Sequence, residues 1–200
     1  MLETGVETFG QIGVEWDQLF SKQEHPHTFL SHAWHKVWWE HFSNAAILRL
    51  LTFRRNGALV GIAPFMLHND RISHIGSTDL VDYHDVLMVD IESTELIDSL
   101  LLSLSRFDDW KVLDLESIPE WSQMVLKLPE SAAAHGWSAK VTKEDVSPGI
   151  HLPNKWDEYL ANIGRKQRHE LRRKYRKFEA AGDINHVVYS TPQEIAERLD

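Results

Sequence analysis

The dipeptide Asn56-Gly57 lies between two apolar runs, Ala46 to Arg54 and Ala58 to Leu67. Asn and Gly both tolerate positive φ, which a two-residue hairpin turn demands of its central pair. The chain must therefore fold around two long antiparallel strands, and the remaining sequence has to supply their neighbours and their cover.

Upstream, Trp16 to Phe20 reads as a short helix, and Gln23 to Thr28 is a loop holding Pro26. Ser31 is placed to cap a helix running to about Phe42, with Trp34, Val37, Trp38, His41 and Phe42 on one stripe and Trp39 at its edge. Downstream, Arg71 to Ile75 and Val86 to Val89 read as shorter strands. Ser93 to Phe107 repeats Leu, Ile and Phe at helical spacing. Val112 to Leu115 reads as a buried strand closed by Pro119. A helix from Ser122 to Leu128 follows, and Pro129 opens another short helical turn that Gly136 ends. Trp137 to Thr142 and Gly149 to Leu152 complete the strands of the first part.

A helix from Trp156 to Ile163 comes next, then a basic helix from about Arg165 to Ala181 with Gly182 at its end. Ile184 to Tyr189 reads as a strand, and Thr191-Pro192-Gln193-Glu194 is a capping-box pattern that starts one more helix. Helices, then a hairpin, then helices alternating with strands indicate an α/β fold, a mixed sheet flanked by helices. The expected division is one domain over 1–150 and the opening segment of a second over 151–200.

The basic helix stands out against the rest of the chain. The formal net charge is -9, yet Arg165 to Lys177 holds eight bases and one acid, leaving twenty-nine acids against thirteen bases elsewhere. Arg165, Arg168, Arg172 and Arg176 recur on one side, while Leu171, Tyr175 and Phe178 form an apolar stripe. This is either a solvated face or a surface for an anion, with Lys166, Arg168 and Arg172 the candidate contacts. No aromatic interleaving supports base stacking, so nucleic acid is not the expected partner.

The absence of Cys removes disulfides, thiolate metal sites and Cys nucleophiles. No secretory signal or membrane-length apolar run is visible, so the expected location is cytoplasmic, without membrane insertion. Twelve His are present, but no His-Glu-x-x-His motif, and surface histidines rather than a metal site are expected. Asp82-Tyr83-His84-Asp85 falls in a loop before a strand, a natural position for a ligand. There Asp82 or Asp85 can hold or deprotonate an amine and Tyr83 can protonate a leaving group. Alternatively the carboxylates cap backbone N–H groups and the Tyr packs.

Four stretches resemble, in order and spacing, the CelD-like branch of the GNAT acyltransferase superfamily, a branch named for its association with cellulose biosynthesis. They are Phe29-Leu30-Ser31-His32-Ala33-Trp34 with Trp38-Trp39 and Phe42; Asn56 to Phe65 with its Gly-Ile-Ala-Pro strand; Gly76-Ser77 followed by Asp82-Tyr83-His84-Asp85; and Lys166 to Arg173, closing at Gly182. The resemblance implies two GNAT-like halves in tandem, as in Fem-type transferases, with the basic helix opening the second. It implies transfer of an acyl group from acetyl-CoA or another acyl-CoA to a small or carrier-borne amine, without a metal. Asp82, Tyr83 and Asp85 would then face the acceptor, and Lys166, Arg168 and Arg172 the anion. The chain departs from the family in having no Gly-x-Gly phosphate loop. Its expected place is beyond Asp200, so the expected partner is a C-terminal half or a second copy, and little transferase activity is expected of the 200 residues by themselves. The alternative is a non-catalytic module that docks through the basic helix within polysaccharide-producing machinery.

Overall fold

The structure is a computed structural model that describes residues 2–76, 79–182 and 184–198. It divides into two compact units, Met1–Asp145 and Val146–Asp200.

The first unit is a mixed six-stranded sheet with helices on both faces. Strand β1 (Glu3–Val6) leads to α1 (Phe9–Phe20), a 3₁₀ turn (Thr28–Leu30) and α2 (His32–Phe42). The hairpin β2 (Ile47–Arg55) and β3 (Ala58–His68) follows, then β4 (Arg71–His74), β5 (Leu87–Met88), α3 (Ser93–Leu104), β6 (Val112–Leu113) and α4 (Gln123–Ala134). The strand order is β1-β2-β3-β4-β6, with β5 also paired to β3; all pairings are antiparallel except β4 with β6. Asn56 and Gly57 take φ of 52° and 80°, so the turn has the positive-φ pair that the sequence predicts.

Two apolar clusters sandwich the sheet. One joins Phe53, Phe65 and Ile72 of the strands to Leu96, Ile97, Leu100 and Leu104 of α3 and to Met124 of α4. The other joins Leu50 and Ile62 to Phe9, Ile12, Trp16 and Leu19 of α1 and to Trp38 of α2. Phe9, Ile12, Trp16 and Leu19 recur every three or four residues, which explains why α1 lies flat on the sheet. Trp16 is fully buried, and its indole N–H donates to the Leu30 carbonyl at 2.9 Å, tying α1 to the 3₁₀ turn. Arg54 of β2 bridges Glu7 (3.1 Å) and Glu15 (2.6 Å), locking the start of α1 to the sheet.

The fold corrects several expectations. The first helix is twelve residues long rather than five, and it is preceded by β1. That strand is four residues whose extended form rests on pairing with β2 from Glu3↔Arg54 to Val6↔Leu51. On α2 the buried side is His35 and Trp38, while Val37, His41 and Phe42 of the expected stripe are exposed. The rotation follows from Trp16, whose ring packs 5.6 Å from His32 and 5.1 Å from His35. Ser31 does cap α2, accepting the Trp34 N–H at 3.3 Å. Pro129 opens no separate helix: it sits inside α4, where Met124, Leu128 and Ala132 hold the helix on the α3 cluster across the lost hydrogen bond. Residues 137–142, 149–152 and 184–189 form no strand, because no neighbouring strand accepts their backbone groups.

The second unit contains α5 (Trp156–Asn162), α6 (Arg165–Glu179) and α7 (Pro192–Ala196), with no strand among its described residues. Thr191 and Glu194 form the capping box that the sequence predicts.

Candidate functional site

The site grows from a break in the sheet. β3 runs eleven residues, but its return partner comes in two pieces: β4 pairs with Phe65–His68, and β5 pairs with Gly61–Ile62. Between them residues 76 and 79–86 lie outside the sheet. Pro64 explains the position. Its carbonyl accepts from the Ile75 N–H at 2.8 Å, so its amide side also faces the β4–β5 edge, where proline has no N–H to donate. The ladder fails there, and the departing chain carries His84 back against the sheet.

Gly76 makes the return possible. Its φ is 145°, and a Cβ at this position would lie 2.5 Å from Nε2 of His84. His84 is buried; its backbone N–H donates to Ser117 O (2.9 Å), and Nδ1 lies 3.2 Å from Glu116 O. A carbonyl only accepts, so Nδ1 carries the proton and Nε2 bears the lone pair in the neutral ring. That Nε2 has no hydrogen-bond partner among the described residues. The ring stacks on His74 of β4 with centroids 5.1 Å apart and planes 7° from parallel, and both ring nitrogens of His74 are buried and, among the described residues, unpartnered.

His35 and His27 complete a set of buried or half-buried imidazoles. Burial in apolar surroundings, the largest cause in each case, lowers the pKa of all four. His35 falls to about 4, and His74 lies well below the usual histidine range, each also disfavoured by neighbouring imidazoles. For His84 the Glu116 carbonyl and the Glu144 carboxylate partly oppose the shift. The expectation of surface histidines is therefore corrected for His35, His74 and His84. Period-two alternation from the buried Ile72 places His74 on the core side of β4, a signal present in the sequence; nothing local marks His84.

Ser73, His74, Gly76, His84, Asp114 and Glu116 line a small, partly open pocket of about 50 Å³. Ser73 and Gly76 also line a groove of about 400 Å³ whose walls include Trp38, Phe42 and Met66. Neither space is lined by Asp82, Tyr83 or Asp85. Asp82 is exposed, and Tyr83 sets its ring against His27 at 5.7 Å. Asp85 is mostly buried, and its Oδ1 accepts from the Val86 N–H (2.8 Å) and the Ser122 hydroxyl (2.7 Å). Ser122 in turn accepts the Met124 N–H at the start of α4. Burial pushes the Asp85 carboxyl up to about 6, against the pull of these two hydrogen bonds. Ser77 lies outside the described residues.

In the second unit, Lys166 and Arg172 are exposed and have no ion-pair partner among the described residues, while Arg168 reaches back to the Ile163 carbonyl at 3.4 Å. Glu170, the single acid among these bases, pairs with Arg173 at 2.6 Å and Lys174 at 3.9 Å. No group of three or more potential metal ligands forms among the described residues, and no helix there is long and apolar enough to cross a membrane. No protein-family model matches the chain, nor does any curated protein or any solved structure.

Proposed function

We propose that the first unit is the acceptor-side half of a GNAT-type acyltransferase that moves an acyl group from an acyl-CoA to an amine. The four sequence stretches quoted above motivate this reading, and the mixed sheet flanked by helices is compatible with it. The observation that carries it is the buried Nε2 of His84, unpartnered among the described residues, at the small pocket of the sheet break. A neutral imidazole with a free lone pair is a proton acceptor waiting for a donor. In the proposed reaction the amine nitrogen bonds to the thioester carbonyl carbon and the carbon–sulfur bond breaks. Nε2 of His84 takes the nitrogen's proton, and solvent protonates the thiolate. His84 thus takes the role first assigned to Asp82 or Asp85, neither of which lines the cavity. Lys166, Arg168 and Arg172 of the second unit are proposed anion contacts in their own right.

A second reading, an interaction module docking through α6, is favoured by the exposure of that helix: none of its residues is buried. Titrating acetyl-CoA calorimetrically into this chain, and into a version extended past Asp200, separates the two. Saturable binding that survives moderate salt and weakens in Lys166→Glu/Arg172→Glu supports the transferase. Absence of binding by both proteins overturns it. Because the chain has no Cys, thiol released from acetyl-CoA can be followed with a thiol reagent free of protein background.

A further inference from the structure

We infer that the stacked His74–His84 pair is an acid-operated latch: a proton taken up by either ring drives His84 from its seat and frees residues 79–86 from the body of the first unit. The latch involves neither acyl donor nor acceptor, so it stands whether or not the transfer reading does.

The seat suits a neutral ring. Gly76 makes room for the imidazole edge by having no Cβ; one built there would lie 2.5 Å from Nε2 of His84. That nitrogen and both ring nitrogens of His74 are buried without a partner among the described residues, and the two rings lie nearly parallel at 5.1 Å. A proton turns a bare lone pair into an N–H that meets no acceptor, and it sets a full charge on buried atoms. A second proton would place two cations face to face. The seat is also the segment's anchor. His84 donates its backbone N–H to Ser117 O and its Nδ1–H to Glu116 O, and Val81 and Val86 near it are 1% and 3% exposed. Ejecting the ring undoes these contacts together.

The surroundings do not rescue the charge. His35 on α2 disfavours a cation at His74, and His27, which lies against Tyr83 of the segment, disfavours one at His84. Glu144 favours a charged His84 but is engaged with the Ser117 N–H at 2.9 Å, and Asp114 is paired with Arg71. Glu116 and Asp82 are exposed, so water and salt screen them. Burial holds both rings below the ordinary histidine range, so the open form binds the proton more tightly and falling pH favours opening. Asp85 works the other way. Its carboxyl, raised to about 6 by burial, takes up a proton more readily in the closed form and resists acid opening.

The chain has no Cys, so a single thiol can report on each region. Val81→Cys places it on the segment, and Ser103→Cys, a near-isosteric change at a buried position of α3, places it away from the latch. Both are made together with Asp85→Asn, which removes the opposing carboxyl. Labelling by a dithiodipyridine, which reacts with thiols in acid as well as at neutral pH, is compared with its rate on free cysteine at each pH. A ring that is neutral when seated and titrates near 6.5 when free should cost Val81→Cys roughly tenfold in protection between about pH 7.5 and about pH 5.5, and more where both rings take up protons. Ser103→Cys should remain at least about tenfold better protected at the lower pH, because the opening is local. Adding His74→Leu and His84→Asn, where neither residue titrates and Asn keeps a donor for Glu116 O, should flatten most of the dependence. Unfolding midpoints at both pH values check that each variant is folded, and the comparison of the two thiols decides without the histidine variants. Protection lost equally at both thiols, protection at Val81→Cys indifferent to pH, or a full pH dependence surviving in the folded histidine variants overturns the latch.

Discussion

Replacing Asp85 by Asn should stabilise the protein near neutral pH and make it more sensitive to acid. The Asp85 carboxyl rises from 3.8 to about 6 on folding. A group whose folded pKa is raised contributes its stability fully below the unfolded pKa and loses it as pH climbs through the folded pKa. At about 1.4 kcal/mol per pH unit, Asp85 therefore costs about 3 kcal/mol at pH 7, and acidification returns that amount. His35 runs the opposite way. Its pKa falls from 6.5 to about 4 on folding, so the unfolded chain binds the proton first, and about 3 kcal/mol is lost as pH drops across that window. The two windows overlap, so the wild-type protein offsets one against the other. The lowered pKa values of His27, His74 and His84 then tilt the net towards acid loss.

Asn keeps a carbonyl oxygen for the Val86 N–H and the Ser122 hydroxyl but cannot ionise. Asp85→Asn should be more stable by up to about 3 kcal/mol at about pH 7.5, and the advantage should vanish by about pH 4. Urea unfolding followed by tryptophan fluorescence across this range reads it. A difference between variant and wild type that is constant with pH would refute the reasoning, since it would mean that Asp85 folds without changing its proton affinity.

Arg54→Met should cost about 1 kcal/mol at low ionic strength by releasing Glu7 and Glu15, and the cost should shrink in about 1 M NaCl; paired urea titrations measure both. Gly76→Ala should cost about 1–3 kcal/mol, because a methyl group there collides with His84 at a φ that side chains avoid; the same variant should move the His84 ring signals. Trp16→Phe should lower stability by about 1–3 kcal/mol in thermal unfolding, through the lost bond to the Leu30 carbonyl and the cavity left beside His35.

The elements most legible in the sequence are those governed by local chemistry. Asn56-Gly57 fixes the hairpin through backbone freedom, Ser31 and Thr191 fix helix starts through their hydroxyls, and the spacing of Leu96, Ile97, Leu100 and Leu104 fixes α3. What escaped depends on distant partners. β1 is extended only because β2 accepts it, and α2 is rotated because Trp16 lies against His32 and His35. The segment 184–189 has strand-like composition, but propensity without a neighbour forms no ladder. At the site, the sequence Asp82 to Asp85 reads as a turn beside a sheet, with its carboxylates as the candidate reactive groups. These carboxylates are the more exposed or structurally engaged groups, whereas the imidazole between them is the one driven inward. A histidine is polar by composition and apolar enough to be buried when neutral, so side-chain type alone does not decide its position.

The direct test of the site is the protonation state of the two stacked rings, read from two-bond ¹H–¹⁵N correlations of the histidines between about pH 5 and pH 8. His84 should remain the neutral Nδ1–H form with a bare Nε2, and His74 should remain neutral, below the ordinary histidine pKa. A His84 ring that titrates at the ordinary histidine pKa, or that carries its proton on Nε2 at neutral pH, would contradict the site as described.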